Sequence, residues 1–421
     1  MRKKNILSFY IIIFLLFFSS CFTSKPLPPG YGTYINFANL YRPQATTIFP
    51  EFVIYNKNDS TSIVFNYIYL PNLLFRPQEN SSIAKVFLNY KLTPSLNNRK
   101  TIDTLSKTLT IKYYQKQKEL IFPVSLPIPE DSLYLINIYV KDLFRKKSNL
   151  KFIWNDPANP YSANDYLVKD ANTFSPIFTH IIDSTKQYLI VHNSGNSQLF
   201  AYHYPADTLL PKPPFYLASR TRKIFADTIF KISTLTPFKF SMPGIYLLTY
   251  DSLVQQGKTL VMFYPDFPRI TRASQMIKPL AYLTNSIELK LLITAYSQKL
   301  AVDSFWLSIS QTPEQAKNLL QIYYNRVFLA NYYFTTHKQG WMSDRGMIYI
   351  IFGPPPIVYK FDDREEWIYY FSQKKQYINF KFKQIKTLFF IEDYVLIPSA
   401  SYREFWQYAV KQWREGIVPN F

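Results

Sequence analysis

The sequence predicts a multidomain, mainly β protein: two β-sandwich-like modules followed by a C-terminal α+β domain of long helices and a small antiparallel sheet. Three observations predict it. Short runs rich in β-branched and aromatic residues recur at regular spacing through the first two-thirds of the chain, separated by polar or Pro-containing turns. From about residue 270 the apolar residues switch to helical spacing. After Gly340 short aromatic runs return, and an aromatic-rich helical segment closes the chain.

The first module spans 47–156, with strands expected at 52–55, 62–69, 83–92, 108–113, 120–126 and 133–140. That rhythm is the pattern of a β-sandwich. The turn-forming Asn155-Asp156-Pro157-Ala158-Asn159-Pro160 ends it. The second β-rich module spans 166–268, with strands at 187–192, 199–204, 228–232, 245–250 and 259–264. In the segment 269–421, Asn285 and Glu288 form a capping box for a helix carrying Leu289, Leu291, Leu292 and Ala295. Thr312, Pro313 and Gln315 start the next helix. Ala316, Leu319, Leu320, Tyr323, Val327, Ala330 and Phe334 then share one helical face. Gly340 is the expected stop, because glycine accepts the left-handed conformation past a helix end. Four strands are expected at 347–352, 366–371, 377–382 and 387–391, and a final helix at 402–413.

The most specific motif lies at the end of the long helix: Gly340-Trp341-Met342-Ser343-Asp344-Arg345-Gly346, then an apolar run, then Gly353-Pro354-Pro355. With Tyr324-Asn325-Arg326-Val327 and Ala330-Asn331 upstream and Glu366-Trp367-Ile368-Tyr369-Tyr370 downstream, it resembles the GWxTD domain. That family occurs mainly in cell-envelope proteins of the Bacteroidota and their relatives. The resemblance covers about 305–395. Ser343 stands where the family name has threonine, which keeps the hydroxyl and loses the methyl. The resemblance implies a fold and a compartment; it carries no established chemistry.

Each motif residue has a structural reading. Trp341 is large enough to fill the gap between the long helix and the sheet, and its indole N–H needs one partner if buried. Ser343 and Asp344 carry short oxygen-bearing side chains where the chain must turn into the first strand. Arg345 pairs with Asp344 or with a carboxylate such as Glu366, and Gly353-Pro354 ends the strand. The functional alternative makes Trp341, Asp344 and Arg345 anchors for a partner or ligand. A third reading gives Asp344 a catalytic role.

The N-terminus sets the expected compartment. Arg2-Lys3-Lys4 is followed by an almost wholly apolar run from Leu7 to Phe18, shorter than the roughly 20 residues needed to span a bilayer. It ends in Phe18-Ser19-Ser20-Cys21, which resembles a lipoprotein signal. Residues 1–20 then form the signal peptide, Cys21 carries lipid, and 21–46 form a Pro-containing tether. Cys21 is the only cysteine, so the chain has no internal disulfide. The expected localisation is the outer membrane, as a membrane-anchored lipoprotein on either its periplasmic or its surface face. The formal charge of +20 falls to +17 without the three cations of the leader. The cations are scattered through a chain with the composition of an AT-rich genome, so nucleic acid is not an expected partner. On charge alone, anionic lipid or polysaccharide is the alternative partner class.

Searches for chemistry find little. His180, His192, His203 and His337 lack metal-ligand spacing, although His192 and His203 would meet if their strands formed a hairpin. Asp362-Asp363 and Glu392-Asp393 read as solvated turns. No cofactor, metal site or catalytic constellation is expected. Asp-Ser/Thr followed by an aliphatic residue or Thr occurs seven times, where chance predicts about one. Its hydroxyls are Ser60, Thr104, Ser132, Ser184, Thr208, Thr228 and Ser252. The triplet is similar to an O-glycosylation sequon of exported Bacteroidota proteins, and it is also how a turn enters a strand.

The sequence therefore points to a non-enzymatic, lipid-anchored binding or scaffold subunit of an outer-membrane-associated complex. The alternative is a glycan-binding lipoprotein, supported by 35 Tyr, 36 Phe and 6 Trp. An envelope hydrolase is the third. Cys21→Ser is expected to release the chain from membranes or to leave the leader uncleaved. Membrane fractionation and intact mass of the variant check this, and normal retention with normal mature mass would contradict it.

Overall fold

The computed structural model describes residues 35–421 apart from 44–45, 80, 99, 130–132, 218–223, 372–374 and 420. The leader, Cys21, most of the tether and Ser132 lie outside the described residues.

The first module is a sandwich of two antiparallel sheets. One has the order β1-β2-β6, from β1 (Glu51–Asn58), β2 (Thr61–Tyr69) and β6 (Glu119–Pro127). The other has the order β3-β4-β7-β8, with β5 paired to β4: β3 (Arg76–Gln78), β4 (Ser81–Thr93), β5 (Asp103–Lys112), β7 (Tyr134–Asp142) and β8 (Lys147–Asn155). Alternate residues turn inward, as the strand period requires. Val64 and Ile68 of β2 meet Val86, Leu88, Tyr90 and Leu92 of β4 and Ile136 and Ile138 of β7 in one core. β8 was not expected, because its sequence KSNLKFIWN opens polar and does not alternate cleanly.

The second module has a two-stranded sheet, β9 (Tyr166–Asp170) with β10 (Tyr188–His192). Its second sheet has the order β12-β11-β13-β14, from β11 (Gln198–Tyr204), β12 (Thr228–Ser233), β13 (Gly244–Thr249) and β14 (Lys258–Met262). Tyr166, Val168 and Ile190 of the small sheet share a core with Leu199, Leu248 and Leu260 of the larger one. The two modules join through a buried polar network. The Asn155 amide donates to Asn56 (3.0 Å), Ser62 (3.1 Å) and the Tyr134 hydroxyl (2.7 Å), while Asn56 donates to Asp165 (2.8 Å). Burial raises the Asp165 carboxyl to about 6 despite that bond.

The C-terminal domain begins with α1 (Ala273–Ile277), α2 (Ser286–Thr294), α3 (Gln298–Ser308) and α4 (Pro313–Phe334). Asn285 and Glu288 form the expected capping box. Thr312 caps α4 by accepting from the Gln315 N–H, but the Gln315 side chain reaches the Gln311 N–H and not the cap itself. Next come α5 (Asp344–Phe352), a meander β15-β16-β17-β18, and α6 (Tyr402–Arg414). The strands are β15 (Ile357–Lys360), β16 (Arg364–Phe371), β17 (Gln376–Ile385) and β18 (Asp393–Leu396).

Three expectations are corrected here. The run 347–352, expected as the first strand, is the helix α5. Its residues from Arg345 to Phe352 are all buried, and a helix that is apolar all round carries no 3.6-residue period. The expected stop at Gly340 is also displaced. α4 ends at Phe334, and Gly340 opens a 3-10 turn (Gly340–Met342) without a left-handed backbone. The last strand is β18, whereas 387–391 form a loop that leaves the sheet.

That loop and its neighbours lock the domain onto both sandwiches. Thr259 donates to the Phe389 carbonyl (2.7 Å), and the Phe389 and Phe390 rings lie against Tyr204 (4.9 Å) and His180 (5.0 Å). The Trp154 indole donates to Glu392 (3.1 Å). Asp362 accepts from the Ser95 hydroxyl (2.9 Å) and the Leu96 N–H (2.7 Å). The acidic pairs expected as solvated turns are therefore largely docking groups; Asp363, beside Arg364, is the exposed one. The described end of the 21–46 segment is not a free linker either. Phe37 N–H donates to the Val358 carbonyl (2.8 Å), Asn36 accepts from Val358 (2.9 Å), and Tyr41 enters the C-terminal core.

Candidate functional site: the motif hub and the three-module cleft

The motif folds as a tight corner between two buried helices. Gly340 lies so close to α4 that a Cβ there would sit 2.0 Å from the Ala330 carbonyl oxygen. Gly346, in the first turns of α5, is pressed on Gly340 in the same way: a Cβ there would sit 1.9 Å from the Gly340 carbonyl oxygen. Only glycine permits this approach. Trp341 is 4 % exposed. Its indole donates to Gln339 (2.8 Å), its N–H donates to Asn331 Oδ1 (3.0 Å), and its carbonyl accepts from the Tyr282 hydroxyl (2.7 Å). The tryptophan thus joins α4 to the 3-10 turn at Lys278–Tyr282.

Ser343 is the N-cap of α5, donating to the Gly340 carbonyl (2.7 Å) and accepting from the Gly346 N–H (3.0 Å). The hydroxyl kept from the family pattern is the atom that does this. Asp344 occupies the first turn, where a carboxylate suits the helix dipole. Its Oδ2 accepts from the Leu396 N–H (2.7 Å), tying β18 to α5. Burial raises the Asp344 carboxyl, and the Leu396 bond only partly offsets it. Gly353 closes α5 with φ +86°, and Pro354 follows where no helix continues.

Arg345 pairs with neither Asp344 nor Glu366, as had been expected, but with Glu365 (3.6 Å). Glu365 is fully buried and also accepts from Lys360 (3.1 Å), the Tyr41 hydroxyl (3.0 Å) and the Trp367 indole (2.5 Å). Burial alone would raise its carboxyl; the Lys360 and Arg345 charges with the Trp367 and Tyr41 bonds outweigh this and hold it below the usual range. The Arg345 guanidinium lies over the Tyr394 ring at 4.0 Å and the Phe334 ring at 5.0 Å. Glu366 instead binds Arg364 (2.8 Å) and Asn379 (2.7 Å).

Several supporting residues had no assigned role in the sequence reading. Arg326 is buried and donates to the Ile350 (3.0 Å) and Ile351 (3.2 Å) carbonyls, capping the C-terminal end of α5 with a cation. Asn331 receives the Trp341 N–H, and Thr335 receives the Gly340 N–H (3.0 Å). Arg326 was detectable as a charge on the apolar face formed by Tyr323, Val327 and Ala330. His337 lies between Asp393 (3.1 Å) and Asp207 (3.9 Å), which no spacing in the sequence announced. His192 and His203 do not meet, because their strands belong to different sheets. His203 pairs with Asp227 (2.6 Å), and His192 contacts Ser194 (2.6 Å). Among the described residues, no group of three His, Cys, Asp or Glu is placed to hold a metal ion.

The three modules enclose a cleft of about 1090 Å³. One wall carries Phe52, Lys151 and Trp154 of the first sandwich; another carries His180, Lys186 and Lys258 of the second. The C-terminal domain contributes Tyr332, Arg345, Lys360 and the loop 386–392. The motif therefore reaches the cleft through Arg345 alone; Trp341, Ser343 and Asp344 lie behind it. Of the hydroxyls in the repeated Asp-Ser/Thr triplet, Ser60, Thr104, Thr208, Thr228 and Ser252 are exposed and Ser184 is half-buried. Asp183, Asp207 and Asp251 each accept the backbone N–H two residues on, so these triplets also make turns.

Trp341→Ala is expected to destabilise the C-terminal domain by about 3–5 kcal/mol, the range for losing a large buried aromatic. Asp344→Asn keeps an acceptor oxygen for Leu396 and should shift melting much less. Thermal melting of both variants checks this; a Trp341→Ala protein that melts like wild type contradicts the buried hub.

Glu365→Gln is expected to cost about 3–5 kcal/mol at pH 7, because it leaves Arg345 and Lys360 buried without their anion. A carboxylate whose folded-state pKa is depressed stabilises above its unfolded value and loses that contribution as pH falls through the folded value. The gap between variant and wild type should therefore narrow below about pH 4.5, the ordinary glutamate range. Denaturant titrations across pH 3–7 measure it, and a gap independent of pH would contradict the pairing.

No curated protein matches the chain. The GWxTD domain family model matches residues 244–415, from β13 to α6. That span is wider than the 305–395 of the sequence resemblance and takes in the β13–β14 edge of the second sandwich. With the Gly-Trp pair, the capping hydroxyl and the Asp-Arg step all in one buried corner, residues 244–415 of the chain form a GWxTD domain.

Proposed function

We propose that this chain is a non-enzymatic, lipid-anchored envelope protein that serves as a binding or scaffold subunit of an outer-membrane-associated complex, with the three-module cleft as its binding site. The observation that carries the reading is the division of labour around the motif. Its glycines, Trp341, Ser343 and Asp344 are committed to internal contacts, and the corner they form backs one wall of a cleft of about 1090 Å³. A concavity of that size, held by packed elements from three modules, suits preorganised binding. Asp344 does not line the cleft, so a hydrolase built on it has little geometric support. The leader and Cys21 supply the membrane reading from sequence.

A glycan-binding role is the second reading. It is favoured by Phe152, Trp154, Tyr332 and Phe390 along the cleft walls. O-glycans on the exposed triplets belong to the same envelope reading, since modification requires an accessible hydroxyl.

The test is gentle detergent extraction from the native host with in-cell cross-linking. A stoichiometric envelope protein cross-linked to cleft-lining residues is expected. A retained polysaccharide would favour the second reading, and a chain that comes out with neither would overturn both. Intact mass of the same material is expected to exceed that of the lipidated polypeptide if the triplets carry sugar.

A further inference from the structure

Lys258 on the cleft wall is a half-buried cation with neither an ion pair nor a nearby acidic charge among the described residues. Lys186 pairs with Asp170 (3.6 Å), while Lys360 and Arg345 share Glu365. Lys151 lies in the field of Glu51. Lys258 has no carboxylate within ion-pair distance among the described residues, and burial alone lowers its ammonium to about 8. A charge set among protein walls without a counter-ion is unfavourable unless a ligand supplies one.

Lys258 is also held rigidly. It opens β14 opposite Leu248, and the Gly257 before it has φ +149°. A Cβ on Gly257 would lie 2.0 Å from the Leu248 carbonyl oxygen, so the backbone is clamped at that point. Thr259 on the other side is tied to the Phe389 carbonyl (2.7 Å). The neighbouring His180, packed edge-on to Phe390, is kept neutral by burial and by the Lys258 charge, at about 4. Its Nε2 is buried without a hydrogen-bond partner. Lys258 is therefore the charge at this part of the wall, with Phe390 packed on the neighbouring His180; Phe152, Trp154 and Tyr332 line the same cleft. Flat apolar rings and a cation in one cleft match the C–H faces of pyranose rings that carry a carboxylate. The volume, just above the usual range of about 300–1,000 Å³ for small-molecule sites, leaves room for several rings.

We infer that the cleft receives an acidic oligosaccharide, with the Lys258 ammonium anchoring a sugar carboxylate. This rests on the second reading above, in which the cleft is a glycan-binding site.

The test is calorimetric titration of the full mature chain in detergent at pH 7 with a tetragalacturonate, its neutral tetragalactose counterpart and a tetra-aspartate peptide. Tetragalacturonate should bind at least about tenfold more tightly than either comparison ligand. Lys258→Met should lose about tenfold or more in affinity for it, and Lys258→Arg should stay close to wild type. Wild-type binding should weaken as pH rises through 8, while Lys258→Arg binding should not. Lys258→Met should melt no lower than wild type, since it removes an uncompensated charge; a lower melting point would reveal an internal partner and overturn the inference. Equal binding of the neutral sugar would remove the anion anchor and leave the cleft reading intact. Undiminished tetragalacturonate binding by Lys258→Met would overturn the assignment of Lys258. Tighter binding of tetra-aspartate, or no saccharide binding at all, would overturn the ligand class, while cleft cross-links from the native host judge the cleft itself.

Discussion

The buried carboxylate of Glu365 is the constraint on which the C-terminal domain depends. It forms an ion pair with Arg345 of the motif helix and accepts from Lys360 of β15, Trp367 of its own strand and Tyr41 of the N-terminal segment. A charge with no solvent exposure survives only when every partner is in place. The four groups come from positions as far apart as 41 and 367, so the carboxylate specifies one arrangement of the chain. Two cations against one carboxylate leave this group net positive on the cleft side, where Arg345 and Lys360 line the wall.

A second set of contacts decides how the sandwiches meet that domain. The docking groups are short loops of the C-terminal sheet: Asp362 before β16, and the stretch from Phe389 to Glu392 before β18. Their carboxylates and rings reach two modules at once. The cleft is the space these contacts leave open, so its shape depends on turns that looked solvated in the sequence. The family match beginning at Gly244 is consistent with this geometry, since β13 and β14 form the surface against which the Phe389 loop packs.

Within the motif, backbone proximity explains more than side-chain chemistry. Gly340 and Gly346 permit a 3-10 turn to lie between α4 and α5, and Ser343 starts the second helix from inside that turn. Asn331 and Thr335, one helical turn apart, receive the two N–H groups that the corner would otherwise bury unpaired. The polar residues of the motif therefore satisfy the backbone at a sharp bend. That is a sufficient reason for those residue types at that spacing, and it shifts the search for recognition to the cleft wall that the bend supports.

The amino-acid sequence by itself determined the two strand-rich modules, the capped helices α2 and α4, the terminal helix and the presence of a GWxTD domain. Those features rest on local periodicity, caps and turn residues, which neighbouring residues are enough to set. It did not determine α5, because a six-residue apolar run buried on every side is the same string for a strand and a helix. Only its packing between α4 and the sheet decided the matter. Nor did it determine the partners of Arg345, Asp344, Asp362 and Glu392. Each has several carboxylates, cations or N–H groups within plausible reach along the chain, and three-dimensional proximity alone selects one. The cleft and its unmatched Lys258 belong to the same class: a cavity is a property of how three modules meet, and no single segment of sequence carries it.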